Sequence, residues 1–356
     1  MPVTLSDVAA KAGVSIATVS RVLNNKMAMP IPDSTIQKIR NAAEELGYRP
    51  NRLARALATG RTHTFGLYSQ ELTDPHFAQM LEAAESRAAS LGYQLIVSTS
   101  LASLTDDGRT DGTILLSSPA LVKGRFKESR SVVYVDQCAD PIPDLIGWDD
   151  SEGAALAVDH LVQLGHRQIA GVWCYGKRAL LDEAPKVQGF RDAVRFAGVE
   201  SYECWGGSGS GAYHFADQFE DGYRAVWSML DKSVPFTGLV ARNDFIATGA
   251  LRALREAGLR VPQDVSVVGY TDSIQAVCAD PGLTSVRTPI AEAGERAVER
   301  LARAVEFPDE AFEGIVLKTE LIPRDSTGPA PSAPASVVRT RAGYLTTREV
   351  QQSIIR

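Results

Sequence analysis

Residues Thr4 to Asn24 read TLSDVAAKAGVSIATVSRVLN, and this stretch decides the fold of the amino-terminal end. Leu5, Val8, Ala9 and Ala12 recur at i, i+3, i+4 and i+7, which predicts a helix with one buried stripe. Thr4 and Asp7 form an Asp variant of the capping box for its first free backbone N–H groups, and Gly13 permits the reversal that follows. Ser15 then caps a second helix. At 100° per residue Val19, Val22 and Leu23 cluster on one face, so Ala17, Ser20, Arg21 and Asn24 point the other way. An outward face of small and hydrogen-bonding residues ending in an arginine suits a DNA major groove. The bland alternative is a small helical bundle, because short helical hairpins are common in all-α domains.

Working outward, 356 residues are too many for one ordinary core, and two or three domains are expected. A hydrophobic fraction of 44% and a charged fraction of 22% are those of a soluble globular protein. No apolar run approaches the roughly 20 residues of a membrane span, and the first residues lack a signal-peptide pattern, so a cytoplasmic location is expected. Cys138, Cys174, Cys204 and Cys278 are widely spread without a CxxC pair, which predicts reduced, mostly buried thiols and no metal site. No cofactor is expected. Within residues 1–60, eight basic side chains face four acidic ones, leaving +4; the rest of a chain of net charge −6 therefore carries −10. A basic headpiece on an acidic body steers DNA to one end.

A third helix is predicted from about Asp33 to Leu46, with Ile36, Ile39, Ala43 and Leu46 as its stripe and Gly47 as its stop. Three short helices then share one marginal core of about 50 residues. Arg52 to Ala58, closed by Thr59-Gly60, gives roughly two turns of helix that are unstable unless something pairs with them, and so reads as a hinge.

The order LSDVAAKAGVSIATVSRVLNN followed by EELGYRPNRLARAL resembles the lactose and purine repressor (LacI/GalR) family of bacterial transcription regulators, and the likeness extends through most of the chain. The resemblance implies that Ile16 and Ala17 hold the variable base-reading positions and that Arg21 reaches base edges or phosphates. Thr4, Ser15, Thr18 and Asn24 would contact phosphates. Asn51, Arg52, Ala54 and Leu57 of the hinge complete the DNA-binding set, with Leu57 the wedge that two subunits insert into the central minor-groove step. Ile16 and Ala17 depart from the polar pair carried by the lactose repressor and favour thymine methyl groups over bidentate hydrogen bonds.

From Thr62 strands and helices alternate: Phe65 to Tyr68, helix Phe77 to Leu91, Tyr93 to Ser98, Val132 to Val135, and helix Gly153 to Leu164. Ile169 to Val172, helix Val187 to Ala197, Gly238 to Ala241, helix Ala247 to Ala257, and Val265 to Tyr270 follow. This pattern predicts parallel sheets covered on both faces, and about 260 residues of it predict two lobes. Ligands in such folds meet the loops after the strands. By resemblance the core is periplasmic-binding-protein-like and closes around a small molecule. The expected organisation is a helix-turn-helix headpiece at 1–50, a hinge at 51–61, a two-lobed effector and dimerisation core at 62–325, and a flexible Pro/Ser/Ala tail at 326–356.

The candidate effector residues are Asp74, His76 and Phe77 at the first helix of the core, Asp136, Lys186, Phe219, Asn243, Asp244, Thr271 and Asp272. Carboxylates and amides at strand ends suit hydrogen bonding to sugar hydroxyls, while an aromatic face packs on the ring. Asp74, Asp136 and Asp244 equally suit turns or N-caps, and Phe77, Trp205, Phe215 and Phe219 are candidate stacking residues most of which read better as core. Lys186 stands where the family usually has an arginine, which keeps charge but loses the fork. Thr271 replaces the first Asp of the family's Gly-aromatic-Asp-Asp turn. Gly207 to Ala212 fits a permissive dinucleotide fingerprint that reads better as an ordinary loop. Residues 99–112 are too few for a full crossover helix, which predicts a trimmed first lobe with one sheet face left for a partner.

The function expected is a homodimeric, sequence-specific repressor on a pseudo-palindromic double-stranded operator, controlled by a small molecule, most simply a sugar. One small reader cannot alone supply nanomolar specificity, hence the dimer. An enzyme on the same scaffold is disfavoured because no G-x-S-x-G elbow, P-loop or HExxH occurs. A transport binding protein is disfavoured by the basic headpiece.

Overall fold

The stripes read from the first residues form α1 (Leu5–Ala12), α2 (Ile16–Leu23) and α3 (Asp33–Glu45). In this computed structural model the described residues are 3–23, 30–49, 56–57, 59–69, 72, 75–105, 109–116, 131–138, 140, 142–173, 184–205, 215–332 and 334. They fall into two compact units divided between His63 and Thr64.

In the first unit the capping box closes reciprocally. The Asp7 N–H donates to Thr4 Oγ1 at 3.4 Å and the Thr4 N–H to the Asp7 carboxylate at 2.8 Å. These bonds to Thr4 hold the Asp7 carboxyl below its usual range. Gly13 ends α1 at φ 68°, a conformation that costs glycine little. The Tyr48 N–H reaches back to the Ala43 carbonyl at 2.8 Å across Gly47, the predicted stop of α3. Val8, Ala9, Val19, Val22, Ile39, Ala42 and Ala43 make one buried cluster. Helices of eight residues do not persist alone in water, so this shared core holds them.

The second unit carries two six-stranded sheets. The first has the order β11-β5-β4-β3-β1-β2, built from β1 (Thr64–Tyr68), β2 (Gln94–Ser98), β3 (Gly112–Leu116), β4 (Ser131–Gln137), β5 (Leu145–Trp148) and β11 (Ile315–Leu317). The second has the order β12-β10-β9-β8-β6-β7, from β6 (Gln168–Val172), β7 (Glu200–Cys204), β8 (Gly238–Ala241), β9 (Ser266–Thr271), β10 (Thr284–Arg287) and β12 (Glu320–Ile322). Among the described residues every pairing is parallel except β10 with β12.

Helices α4 (Pro75–Ser90) and α11 (Ile290–Glu306) share the buried cluster of the first sheet through Met80, Ala84, Ala293 and Leu301. In the second lobe α6 (Asp150–Gln163) and α7 (Pro185–Ala197) pack on one face, and α8 (Phe215–Asp231) and α9 (Asp244–Glu256) on the other. Alternation along β6 sends Ile169 to the first face and Ala170 and Val172 to the second. Helices α8 and α9 meet backbone to backbone at Gly222 and Gly249. A Cβ there would sit 2.1 Å from the Ile246 carbonyl and 2.0 Å from the Phe219 carbonyl.

Among the described residues of the shortened segment, α5 (Ala102–Thr105) lies between β2 and β3. Leu104 from it covers Tyr68 and Leu115, with Leu101, Val132 and Tyr134 half-buried around them. One expectation is corrected at the far end: residues 326–330 are not a loose tail. Ser326 is fully buried, its hydroxyl donates to the Val267 carbonyl at 2.6 Å, and the Ala330 N–H donates to the Leu164 carbonyl at 2.8 Å. His166, also fully buried, meets the Gly328 carbonyl at 3.1 Å. Backbone groups that find such partners outweigh a flexible composition. The cysteines are also less buried than expected: Cys204 is buried, Cys138 half-buried and Cys278 exposed, all free, while Cys174 and Gly207 to Ala212 lie outside the described residues.

Candidate DNA-reading face and interlobe site

Helix α2 presents its outward residues as the 100° spacing requires. Ile16 is 50% exposed, Ala17 and Arg21 are exposed, and Thr18 and Ser20 are half-buried. Ser15 Oγ accepts the Thr18 N–H at 3.2 Å and lies 2.8 Å from Thr18 Oγ1, so the cap engages both hydroxyls. Leu57 is helical and 91% exposed, which leaves its whole side chain available to a partner. Asn24, Asn51, Arg52 and Ala54 lie outside the described residues.

The chain passes between the lobes three times: from β5 into α6, from β10 into α11, and from β11 to β12. Asp150 sits at the first passage. Its Oδ1 accepts the Trp148 indole N–H at 3.0 Å and the Tyr270 hydroxyl at 2.9 Å, and Lys186 Nζ lies 3.4 Å from its Oδ2. The Lys186 ammonium also stands 3.5 Å from the centre of the Tyr270 ring and donates to the Arg242 carbonyl at 3.3 Å. One carboxylate thus joins the end of a first-lobe strand, the end of β9 and the start of α7. Burial pushes the Lys186 ammonium down to about 8 against the support of Asp150.

At the second passage His76, from the first turn of α4, meets Thr288 Oγ1 at 2.5 Å and stands edge-on to Trp148. Burial, helped by the Lys186 charge, pushes His76 down to about 4, so its imidazole is neutral at pH 7. The unfolded chain binds a proton near pH 6.5 that the folded chain refuses until about 4; stability owed to this group is therefore lost as pH falls through that window. We expect His76→Gln to recover up to about 3 kcal/mol relative to wild type between pH 6.5 and 4. Urea titrations across that range check this, and a pH-independent difference between the two proteins would refute it.

The other strand-end residues divide by how much of their bonding the fold consumes. Asp244, 0% exposed, accepts from the Ser285 hydroxyl, the Ser273 N–H and hydroxyl, and the Thr271 hydroxyl at 2.6–3.2 Å. Burial still raises it to about 6. Asp272 is held by Arg287 Nε at 2.8 Å and Arg324 at 2.6 Å. Both carboxylates anchor the strand ends through these bonds. Thr271 and Asp272 adopt φ 96° and 49°, and a β-branched residue at positive φ is strained. Asn243 caps α9 through the Ile246 N–H at 3.0 Å and donates to Gln218 at 2.5 Å, so the cap is Asn243 and not its neighbour Asp244. Asp136 is half-buried at the end of β4, paired with Gly147 beside Trp148.

Two of the candidate aromatics pack within the lobes. Phe77 is 2% exposed in the first lobe's core, and Phe219 is half-buried between α8 and α9 with the Arg252 guanidinium 5.9 Å from its ring. Trp205 is half-buried after β7, 5.8 Å from Arg191; Asp74 and the Phe215 side chain lie outside the described residues. Trp148, Asp150 and Tyr270 were missed by sequence reasoning. The available signal was Trp148-Asp149-Asp150, an aromatic and two carboxylates where a strand gives way to a helix. No group of three or more His, Cys, Asp or Glu arranged for a metal, and no helix long and apolar enough to cross a membrane, occurs among the described residues.

Comparison with known proteins bears on both units. Residues 4–51 match the bacterial regulatory proteins of the lacI family, and residues 158–327 match a periplasmic binding protein-like domain. The transcriptional regulator DegA of Bacillus subtilis is 33% identical over 92% of this chain and 99% of its own length. The repressor PurR of Erwinia tasmaniensis is 31% identical over 92% and 98%. Among solved structures, a lac repressor dimer bound to operator and the anti-inducer ONPF aligns with a TM-score of 0.77 at 29% identity, covering 92% of this chain and all of that one. A complex of the regulator CelR with cellobiose aligns with a TM-score of 0.62 at 28% identity, covering 91% and 99%. The helix-turn-helix unit, the paired parallel sheets and these full-length relatives place the chain in the LacI family of effector-controlled, DNA-binding transcriptional regulators, which are not enzymes.

Proposed function

We propose that this regulator is a homodimeric repressor in the cytoplasm whose grip on a pseudo-palindromic operator is set by a sugar or sugar derivative bound between the lobes. The observation that carries the reading is the Asp150 junction, which ties both lobes together where strand-end polar groups converge. A ligand that engages Lys186 competes with Asp150 for it, and one that also reaches His76, Asp136, Asn243 or Thr271 biases the angle between the lobes. The neutral His76, the aromatic Trp148 and the amide of Asn243 suit an uncharged polyol. The solved CelR complex with cellobiose supports a carbohydrate.

On DNA, Ile16, Ala17 and Arg21 read base edges while Thr4, Ser15, Thr18 and Asn24 meet phosphates. Asn51, Arg52 and Ala54 follow the backbone, and Leu57 from each subunit enters the minor groove. Lobe movement changes the spacing of the two hinge segments of a dimer, which pair on DNA or part. A coupling of about 1 to 3 kcal/mol suffices to change operator affinity 5- to 150-fold.

The reading is tested by screening sugars and sugar phosphates for a rise in Tm and assaying each hit for its effect on operator binding. A carbohydrate that stabilises the protein and shifts operator affinity is expected. Stabilisation by purines alone would replace the sugar with a base, and hits without any effect on DNA binding would defeat the allosteric reading.

A further inference from the structure

Lys186 differs from the other described lysines in where its amine is held. Lys11, Lys38, Lys232 and Lys318 are exposed, whereas the Lys186 side chain, in the first turn of α7, is 13% exposed. Its nitrogen stands 3.5 Å from the centre of the Tyr270 ring, 3.4 Å from Asp150 Oδ2 and 3.3 Å from the Arg242 carbonyl. A cation needed only to pair with a carboxylate is better supplied by arginine, whose planar fork binds two oxygens and which keeps its proton when buried. Lysine has one capacity that arginine lacks: once its proton is shed, the amine is a nucleophile. Burial, with the Arg242 charge, lowers this amine to about 8 against the support of Asp150 and Asp244. Roughly one molecule in ten then holds it neutral at pH 7, against about one in 2,500 for an ordinary lysine amine.

The groups around the nitrogen suit addition to a carbonyl. We infer that Lys186 captures an aldehyde as a reversible imine, the aldehyde being, within the proposed effector class, the open-chain form of a reducing sugar. The ammonium first gives a proton to water. The nitrogen lone pair forms the C–N bond while the carbonyl π pair moves onto oxygen. Asp150 Oδ1 is engaged by Trp148 and Tyr270, so Oδ2, which faces Lys186, carries a proton from that nitrogen to the new alkoxide. The C–O bond then breaks as the hydroxyl takes up the proton first shed and leaves as water, and the nitrogen lone pair closes the C=N bond. One ammonium and one aldehyde give one iminium and one water, with nothing oxidised or reduced. The positive charge that Asp150 and the Tyr270 ring face before capture is still there after it. The inference rests on Lys186 being among the proposed effector contacts, and it names the functional group that the effector must carry.

The full-length protein is incubated near neutral pH with D-glyceraldehyde or D-ribose and sodium cyanoborohydride, which reduces an iminium to a stable secondary amine. Digestion and mass spectrometry then locate the adducts. Glycerol and ribitol, which keep the hydroxyls and lack the carbonyl, are the controls for Tm and for affinity towards an operator selected from random duplex DNA. We expect Lys186 to be labelled at least about tenfold faster than Lys232 or Lys318. In Lys186→Arg the exposed lysines should be labelled as in wild type and residue 186 not at all. Operator affinity of the reduced wild-type adduct should stay at its ligand-bound value after free aldehyde is removed, and that of Lys186→Arg should return to its starting value.

The wild-type labelling rates decide the matter even where the variant does not fold. Labelling of Lys186 no faster than that of Lys232 and Lys318 would overturn imine capture. So would ribitol or glycerol raising Tm and shifting operator affinity as much as the matching aldehyde; either result leaves a sugar-controlled regulator in place. Selective labelling of Lys186 without any effect on operator binding would instead remove the proposed allosteric control and leave the capture standing.

Discussion

Asp150→Ala is expected to destabilise the core by about 3–5 kcal/mol, as removal of one partner from a buried ion pair does. The loss has identifiable parts. Lys186, whose side chain is 13% exposed, would lose the carboxylate that supports its charge against burial. The Trp148 indole N–H and the Tyr270 hydroxyl would lose the acceptor they share. Desolvation costs exceed the modest net value of each bond, so the damage outweighs the contacts removed. Asp150→Asn, which keeps an acceptor oxygen but not the charge, should fall between alanine and wild type. Asp150→Leu combined with Lys186→Met should recover much of the loss, because apolar pairs of similar volume often replace buried ion pairs at little cost. Urea denaturation measures all three; a loss below about 1 kcal/mol for alanine would show the junction to be dispensable.

Gly249→Ala sets two effects against each other. Helix propensity alone favours alanine by about 1 kcal/mol in a helix interior. The added Cβ, however, would stand 2.0 Å from the Phe219 carbonyl and 2.9 Å from the Tyr223 N–H nitrogen, both backbone atoms that no rotamer can move aside. Helices α8 and α9 would have to separate, opening the cluster that holds Leu251, Leu254 and Val226. Overpacking of this kind typically costs about 1–3 kcal/mol, and backbone-to-backbone contact places this site above that range. We expect a lowered Tm or failure to accumulate as soluble protein. A Tm equal to or above wild type would mean that the helices are not packed as described.

How much of this was legible depended on how each residue is used. The headpiece could be read almost to the residue because every signal agreed: Thr4 with Asp7, Gly13, Ser15 and Gly47 punctuate the stripes of Val8, Val19 and Ile39. In the core, strands bounded by obvious helices were legible. Short strands of three to five residues such as β3, β5, β10, β11 and β12 were not, since they are too short for alternation to show. Helix α11 was legible in principle, because Ile290, Ala293, Ala297 and Leu301 keep helical spacing. The site divided along another line. A sequence shows that Asp244 and Asp272 stand at strand ends, but not that Ser285, Ser273, Arg287 and Arg324, distant in the chain, consume their oxygens. Asp150 escaped for the same reason: its partners come from three separate elements.

The measurement that bears most directly on the central claim is a fluorescence anisotropy titration of the full-length protein onto its selected operator. It is run with and without the sugar or sugar phosphate that most raises Tm, at one fixed salt concentration. A ligand-dependent change in operator affinity of about 5- to 150-fold is predicted, absent when the same ligand is added to unrelated DNA. Identical curves with and without a ligand that demonstrably binds the core would contradict control of the DNA-reading face from between the lobes.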